Sequence, residues 1–441
     1  MSMKATLLGR GAWCAVAAFC AFGAQAAFDA GESFAKPESW AATAVDFTVD
    51  HKDDGFKFAS QKRDIVNCLR PGAVAWHGVP VYETKLYFGP KGVERLELSL
   101  FNTGDARGGM GREELDALLE TVRGKLLDGK GSAPKPETRK LKGKEQLKQS
   151  VQTFPKADPP AELAWGVEAP KGGSFRVNFV RLTMMAPGTK MKAAAKPVGN
   201  KLTDHVKKDA SSGDVWISDV PMVDQGQKGY CAAAVTERVL RYYGQTVDEH
   251  EFAQQAGTSA RGGTSVSEMR VVVQQLGRKC GLNMADVHAG ISSIADVDKM
   301  LQKYNRAAKA TGKSQISREA FTNGHVIDVG GIFGAMDTKT VKKMRTDDKG
   351  GFQRFQKGVK DQVKLGIPLV WGVTLGRYPE PELANLQGTG GHMRLIIGYN
   401  EKSKEILYSD TWGAGHELKR MPEDWAWAIT DNLFYLKPVK R

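Results

Sequence analysis

The stretch that decides the fold is Val-Pro-Met-Val-Asp-Gln-Gly-Gln-Lys-Gly-Tyr-Cys-Ala-Ala-Ala, residues 220–234. A loop with two glycines leads directly into an apolar periodic segment, Val235 to Tyr243, which is followed by Gly244. Apolar residues at helical spacing that stop at a glycine are typical of an α-helix and its C-terminal cap. The pattern therefore predicts a helix that begins near Cys231.

A cysteine at this point of a helix has the setting of a nucleophile. The positive end of the helix dipole and the unpaired N–H groups of the first turn lower the pKa of a thiol and favour the thiolate. Gln225 lies six residues earlier, on the loop that must wrap back beside the cysteine. Its amide can donate a hydrogen bond to an oxyanion, together with the backbone N–H of Cys231. Cys231 alone would more often be an inert buried thiol.

His392 is the best candidate for a general base among the eight histidines. It follows a Gly/Thr-rich loop and starts an apolar strand that runs to Asn400. A second strand-like run, Glu405 to Ser409, follows a polar turn and leads to Asp410. Antiparallel pairing of the two runs would return Asp410 to the neighbourhood of His392, where its carboxylate can orient the imidazole. His325 and His416 are rival bases.

Three separated motifs in this order make the sequence similar to a known superfamily. The motifs are Gln-Gly-x-x-Gly-Tyr-Cys at 225–231, Gly-His with an apolar strand at 391–399, and Asp-Thr-Trp-Gly at 410–413. Together they resemble the papain-like cysteine peptidases, over roughly residues 214–438 and closest to the bacteriocin-processing-peptidase-like branch.

The resemblance implies a role for each matching residue. Cys231 would be the nucleophile, His392 the general base, and Asp410 the residue that orients the histidine. Gln225 would complete the oxyanion hole, and Trp412 would shield the His–Asp pair from water.

Two departures favour the bacteriocin-processing branch over papain itself. Papain has a tryptophan after its cysteine and an asparagine as third member, where this chain has Ala232 and Asp410. The best-known members of that branch are fused to membrane transporters and cut after a double glycine. No membrane domain is evident here, so that role is not carried over. The stretch Gly281–Gly358 has helical signals at Ile294–Ala307 and no counterpart in the resemblance, and it is a candidate substrate cleft or lid.

The sequence therefore predicts an exported cysteine peptidase that hydrolyses peptide bonds of a peptide or protein substrate. Two alternatives stay open. A transglutaminase-like acyltransferase would use the same order of Cys, His and Asp, and an inactive peptidase fold would serve as a binding protein at the cell envelope.

Composition excludes several other classes. The 441 residues carry a net charge of +13 with 41% hydrophobic residues, as in a globular protein of two or three domains. No CxxC pair or His-rich cluster suggests a metal, and no cofactor is implied. The basic stretches lack a nucleic-acid recognition motif, so we expect no specific nucleic acid partner. They are compatible with electrostatic contact with anionic envelope surfaces.

The N-terminus has the features of an export signal. Lys4 and Arg10 precede a short apolar run, and Ala24-Gln25-Ala26 is a small-x-small site for signal peptidase. We expect residues 1–26 to be a signal peptide without a lipid or transmembrane anchor, and the protein to be periplasmic or secreted. The mature chain would keep Cys68, Cys231 and Cys280, and the outer two could form a disulfide that leaves Cys231 free.

The rest of the chain predicts an α+β protein of two domains. Val79–Phe88 and Val93–Phe101 flank a Pro/Gly turn and predict a hairpin, and a helical repeat follows at Leu115–Leu126. These belong to a separate small α+β domain, 27–189, with a basic loop near 129–150. A basic linker, 190–213, then leads to the peptidase domain, 214–441. There the Cys helix should pack on an antiparallel sheet that carries His392 and Asp410.

Overall fold

The computed structural model describes residues 27–106, 108–141, 144–189, 202–245, 248–258, 263–264, 266–324, 326–380 and 390–439. The expected signal peptide, 1–26, lies outside them, as does the first part of the expected linker, 190–201. No helix in the described part of the chain is long and apolar enough to cross a membrane.

The N-terminal half contains eleven strands and four helices in its described residues. The strands are β1 (Phe28–Asp29), β2 (Lys57–Phe58), β3 (Ile65–Cys68), β4 (Val74–Trp76), β5 (Val79–Val81), β6 (Glu83–Gly89), β7 (Gly92–Asn102), β8 (Glu137–Leu141), β9 (Lys144–Phe154), β10 (Ala161–Glu168) and β11 (Arg176–Met185). The helices are α1 (Ala30–Ser33), α2 (Pro37–Ala41), α3 (Ala44–Asp50) and α4 (Arg112–Leu127).

An antiparallel sheet in the order β2-β3-β6-β7-β11-β10-β9-β8 forms the body of this half. The predicted hairpin is confirmed, because β6 and β7 pair up to the turn at Gly89 and Gly92. The predicted helix is α4, which contacts β11 and buries Leu115, Leu118, Leu119 and Val122. These contacts create a hydrophobic core that belongs to the N-terminal half alone.

The expectation of a basic loop near 129–150 is wrong, since β8 and most of β9 lie within it. The polar composition has a different cause: these strands form part of the contact with the C-terminal half. The side chain of Gln149 is buried and donates to Gln254 at 3.0 Å, while Arg139 pairs with Glu251 at 2.9 Å. Polar residues are stable in such strands because partners from the other half satisfy their hydrogen bonds.

The C-terminal half contains ten strands and eight helices in its described residues. The strands are β12 (Val206–Lys208), β13 (Asp214–Ile217), β14 (Leu282–His288), β15 (Thr322–Asn323), β16 (Val326–Ile327), β17 (Leu369–Leu375), β18 (Gly390–Asn400), β19 (Glu405–Ser409), β20 (Lys419–Pro422) and β21 (Thr430–Pro438). The helices are α5 (Cys231–Tyr242), α6 (Glu249–Ala256), α7 (Val266–Lys279), α8 (Ile294–Thr311), α9 (Val329–Ala335), α10 (Thr338–Asp347), α11 (Lys349–Lys364) and α12 (Glu423–Ile429).

A second antiparallel sheet organises this half in the order β12-β13-β18-β17-β21-β14, with β19 on β18 and β20 on β19. Helix α5 begins at Cys231 as predicted, contacts β18 and is almost fully buried after its first residue. Its apolar residues share one core with β17, β18 and β21. The chain is therefore a mixed helix and sheet protein in which the cysteine helix lies against the histidine strand.

In the described part of the expected linker, 202–213, the chain forms a short 3-10 helix and a strand, which corrects the expectation there. Val206–Lys208 forms strand β12 and pairs with β13 at the edge of the second sheet. The side chain of Lys402 donates to the carbonyl of Ala210 at 2.9 Å and ties the next turn to the same sheet. Lys207 and Lys208 are thus exposed positions of an edge strand.

The segment Gly281–Gly358 contains the predicted helix as α8, together with α9 and α10. These three helices share a small core of their own, which includes Leu301, Tyr304 and Ile332. A cavity of about 1260 Å³ separates them from the β14–β21 edge of the sheet, with Asp431 and Asn432 in its wall.

Candidate functional site

Cys231 is the first residue of α5 and follows the glycine-containing loop. The residue is half-buried. Burial alone would raise the pKa of the thiol, but the hydrogen bond and charge of His392 and the backbone N–H of Ala232 lower it. The local structure therefore favours a thiolate at Cys231.

His392 lies on β18 and connects Cys231 to Asp410. Its Nε2 is 2.6 Å from Asp410 Oδ1, and its other ring nitrogen, Nδ1, is not used in that contact. Burial lowers the pKa of the imidazole, but the Asp410 carboxylate and Cys231 more than offset burial and raise it to about 9. The lowered pKa of Cys231 and the raised pKa of His392 thus both favour an imidazolium beside a thiolate.

Asp410 follows the last residue of β19, and strand pairing places it. Leu395 of β18 is opposite Ser409, so the end of β19 returns beside His392 as the antiparallel hairpin predicts. The carboxylate is fully buried and accepts from the backbone N–H of Thr411 at 2.9 Å. Burial would raise its pKa, but Arg394 and His392 hold that pKa far below its usual range.

Arg394 is a site residue that the sequence reasoning missed. It is fully buried two positions after His392 on the same strand, and its Nε lies 2.7 Å from Asp410 Oδ2. Its Nη1 lies 2.6 Å from Glu380. Residues two apart on a strand share a face, and that spacing was the available signal. Arg394 neutralises the second oxygen of Asp410 while His392 occupies the first.

Trp412 covers the histidine. The two rings are stacked with centroids 4.4 Å apart and planes 6° apart. His416 packs edge-on against Trp412 with centroids 5.7 Å apart, and its backbone N–H donates to Gly413. His416 therefore packs around the tryptophan as a structural residue. His325, the other alternative to His392 as the base, lies outside the described residues.

The Gln225 side chain is buried, and hydrogen bonds fix both its amide oxygen and its amide nitrogen. Its side-chain oxygen accepts from the Thr411 hydroxyl, and its Nε2 donates to the Lys228 carbonyl at 3.1 Å. Its backbone N–H donates to Thr411 at 2.9 Å. Because Thr411 holds the amide oxygen, the NH₂ group faces the loop that leads to Cys231 and keeps a second hydrogen to donate.

Arg238 is the second site residue that the sequence reasoning missed. It links α5 to Asp410 and to the loop before Gln225. It is fully buried on α5, two turns after Cys231. Its guanidinium donates to the carbonyl of Pro221 at 2.7 Å and to the carbonyl of Asp410 at 2.7 Å, and it also bonds Ser409. A charged side chain in the middle of an apolar helix was the available signal, since buried arginines are rare without several acceptors.

One group of side chains among the described residues has the spacing of metal ligands: Glu83, Glu249 and His250. It lies between the two halves and not at Cys231. The ammonium groups of Lys85 and Lys228 already contact its two glutamates, as ion pairs. Those charges occupy the place that a cation would take.

Cys68 and Cys280 are free thiols. Cys68 is buried in the N-terminal core, whereas Cys280 packs against the core of the C-terminal half. The disulfide between Cys68 and Cys280, which the sequence permits, is therefore not formed.

The chain matches a family model and several solved structures. Residues 217–433 match the model of the Peptidase_C39 like family, which confirms the resemblance in the C-terminal half. Among solved structures the chain is similar to xylellain, a cysteine protease from Xylella fastidiosa. The identity is 13% over 57% of this chain and 100% of that chain, with a TM-score of 0.26. No curated protein matches the chain.

Proposed function

On the premise that residues 217–433 match the Peptidase_C39 like family, we propose that this protein is an exported cysteine peptidase. The observation that carries the proposal is the continuous contact from Cys231 through His392 to Asp410. Cys231 is half-buried at a helix N-terminus beside an imidazole that lowers the pKa of its thiol, and Nε2 of that imidazole is 2.6 Å from a buried carboxylate. This is the arrangement of nucleophile, base and orienting acid that acyl transfer needs.

In the first half of the reaction the Cys231 thiolate attacks the peptide carbonyl carbon and forms a carbon–sulfur bond. The oxyanion accepts hydrogen bonds from the Cys231 backbone N–H and from Gln225 Nε2. As the carbon–nitrogen bond breaks, the imidazolium of His392 gives its proton to the leaving amine. The products of this half are a thioester on Cys231 and a free amine.

In the second half water resolves the thioester. Neutral His392 takes a proton from the water, and the resulting hydroxide attacks the thioester carbonyl. The carbon–sulfur bond breaks, which releases a carboxylic acid and returns the thiolate beside the imidazolium. Asp410 keeps the imidazole oriented throughout, and Trp412 keeps water from the His–Asp contact.

The proposal is tested by intact-protein mass spectrometry after treatment with E-64 or iodoacetamide. We expect one adduct, formed faster than on a simple thiol at about pH 6 and absent in Cys231→Ala. Cys68→Ala is the matched control, because Cys68 is a buried thiol whose pKa is raised by burial. No selective adduct in the folded protein would contradict the enzyme and favour a binding protein on a peptidase fold.

Substrate turnover separates hydrolysis from transfer. A peptide library is incubated with the protein in the presence and absence of a primary amine, and the products are identified by mass. A peptidase gives carboxylic acid products in both samples. Products that carry the amine would assign the protein to the transglutaminase-like alternative.

Export is part of the proposal and rests on the composition of residues 1–26. Expression in a bacterial host, followed by N-terminal sequencing of periplasmic and cytoplasmic fractions, tests it. We expect the mature chain to begin at Ala27, in the exported fraction. An intact N-terminus found only in the cytoplasm would contradict export and leave the catalytic proposal untouched.

A further inference from the structure

The loop between Gln225 and Cys231 contacts the N-terminal half through Lys228. The Lys228 side chain is 2% exposed, and its Nζ contacts the carboxylate of Glu83 on β6. Asp105, in the loop after β7, lies 3.3 Å from the same nitrogen. Two acids of the N-terminal half therefore anchor a residue of the loop that leads to the nucleophile.

The backbone of Lys228 in turn holds the proposed oxyanion donor. The Lys228 carbonyl accepts from Gln225 Nε2 at 3.1 Å and from the backbone N–H of Tyr230 at 2.8 Å. An amide NH₂ has two hydrogens in a fixed plane, so holding one of them sets the direction of the other. The position of this carbonyl thus decides where Gln225 can donate.

Tyr230, the residue before the nucleophile, is held by the same part of the N-terminal half. Its ring is buried, and its hydroxyl lies 3.5 Å from the Thr103 hydroxyl. At Gly104 an added Cβ would lie 2.8 Å from the Tyr230 ring and 2.9 Å from the Lys228 chain. The two loops therefore approach so closely that only a glycine fits.

A buried charge cluster makes this contact specific. Lys85 Nζ lies 2.7 Å from Glu83 and 3.0 Å from Glu249, while Lys228 shares both glutamates. Burial disfavours the charge on Lys228, but Glu83 and its acidic neighbours raise the pKa of that ammonium well above its usual value. Because a buried charge without its partner is strongly unfavourable, these pairs admit few other placements of the two halves.

We propose that Lys228 is a positioning residue and that the N-terminal half, through Glu83 and Asp105, holds Gln225 in the direction of the oxyanion. This inference rests on the proposed cysteine peptidase function and assigns a task to the N-terminal half. That half would act on catalysis from outside the peptidase domain, without touching the substrate.

The test compares two reactions of Cys231 in the full chain. Alkylation by iodoacetamide needs the thiolate but develops no oxyanion. Acylation by p-nitrophenyl acetate forms a tetrahedral oxyanion and releases p-nitrophenolate, so it depends on Gln225. We expect Lys228→Met to lower the acylation rate at least about tenfold, with the alkylation rate and its pH profile unchanged.

Gln225→Ala shows how far the acylation rate falls when the amide donor itself is removed. Arg139→Met is the matched control. Arg139 also pairs across the two halves, with Glu251 at 2.9 Å, but this pair joins β8 to α6 and does not involve the loop. Loss of the Arg139–Glu251 pair should leave the acylation rate and the alkylation rate unchanged. Folding of each variant is verified by thermal unfolding and near-ultraviolet circular dichroism.

Glu83→Gln and Asp105→Asn extend the test if Lys228→Met does not fold, because both keep the size of the side chain. A lower ratio of acylation to alkylation in the folded variants supports the inference. An unchanged ratio, or an equal loss of both rates, overturns it. A wild-type protein with no activated thiol would refute the proposed function instead, so the two failures are distinguishable.

Discussion

Trp412 lies flat on His392, with ring centroids 4.4 Å apart and an angle of 6° between the planes. The stacked indole covers one face of the imidazole whose Nε2 contacts Asp410. A covered ion pair is screened less by water than an exposed one. The strength of the His–Asp interaction therefore depends on this ring, which gives the first prediction.

Replacing Trp412 with alanine should weaken the hold of Asp410 on His392. Water would enter above the imidazole, and the pKa of His392 would move from about 9 toward its ordinary value. We expect the alkaline limit of the activity to shift to lower pH, measured as the pH profile of peptide hydrolysis. Trp412→Phe keeps a flat ring and should shift the limit less, and equal shifts in both variants would contradict the shielding.

The wild-type protein should be active over a pH window bounded by two shifted groups. The pKa of Cys231 is lowered, so the thiolate persists on the acidic side of the ordinary thiol range. The pKa of His392 is raised to about 9, so the imidazolium that protonates the leaving amine is present at neutral pH and is lost as the pH rises through about 9. Rates of peptide hydrolysis between about pH 4 and pH 10 measure both limits.

The variant His392→Gln tests whether the imidazole sets the acidic limit of the pH window. Without the imidazole, the acidic limit of iodoacetamide alkylation should move up toward the ordinary thiol pKa of about 8.5. An acidic limit that stays in place would show that the helix N-terminus alone activates Cys231.

Gln225→Ala should lower kcat by about 10² to 10³ and leave alkylation by iodoacetamide unchanged. The reason is that the amide meets the oxyanion only in the transition state, whereas the thiolate depends on His392. Steady-state kinetics with a peptide substrate and alkylation rates from mass spectrometry give the two values. Gln227→Ala, on the same loop, is the control, and an equal loss of kcat there would contradict a specific donor.

Arg238→Met should destabilise the fold around the site. The change leaves the buried carbonyl of Asp410 without its donor, at about 1–3 kcal/mol for an unsatisfied group, and also removes the donor to the part-buried carbonyl of Pro221. Urea unfolding measures the loss in the free energy of unfolding. Arg278→Met, at an exposed position of α7, is the control and should stay within about 0.5 kcal/mol of wild type.

Gly104→Ala should loosen the contact between the two halves. The new methyl group would meet the Tyr230 ring and the Lys228 chain at less than 3 Å, so one of the two loops must shift. Overpacking of this kind costs about 1–3 kcal/mol, and thermal unfolding measures it. Gly108→Ala serves as the control because an added Cβ there meets nothing within 4 Å.

Local patterns in the sequence determined the elements that carry the site. The helix from Cys231, the strand with His392 and the strand before Asp410 all follow from apolar periodicity and from glycine and polar turns. Antiparallel pairing of consecutive strands then places Asp410 beside His392. These inferences hold because each depends on residues that are close in the sequence.

The tertiary structure decided what depends on distant partners. The sequence of the polar strands β8 and β9 predicted a loop because Gln149 and Arg139 each have a partner on α6, more than a hundred residues away. Lys228 is buried, and its ammonium group pairs with Glu83, which lies 145 residues earlier in the sequence. A buried polar residue has no local signature, since its stability comes from the group it meets and not from its neighbours in the chain.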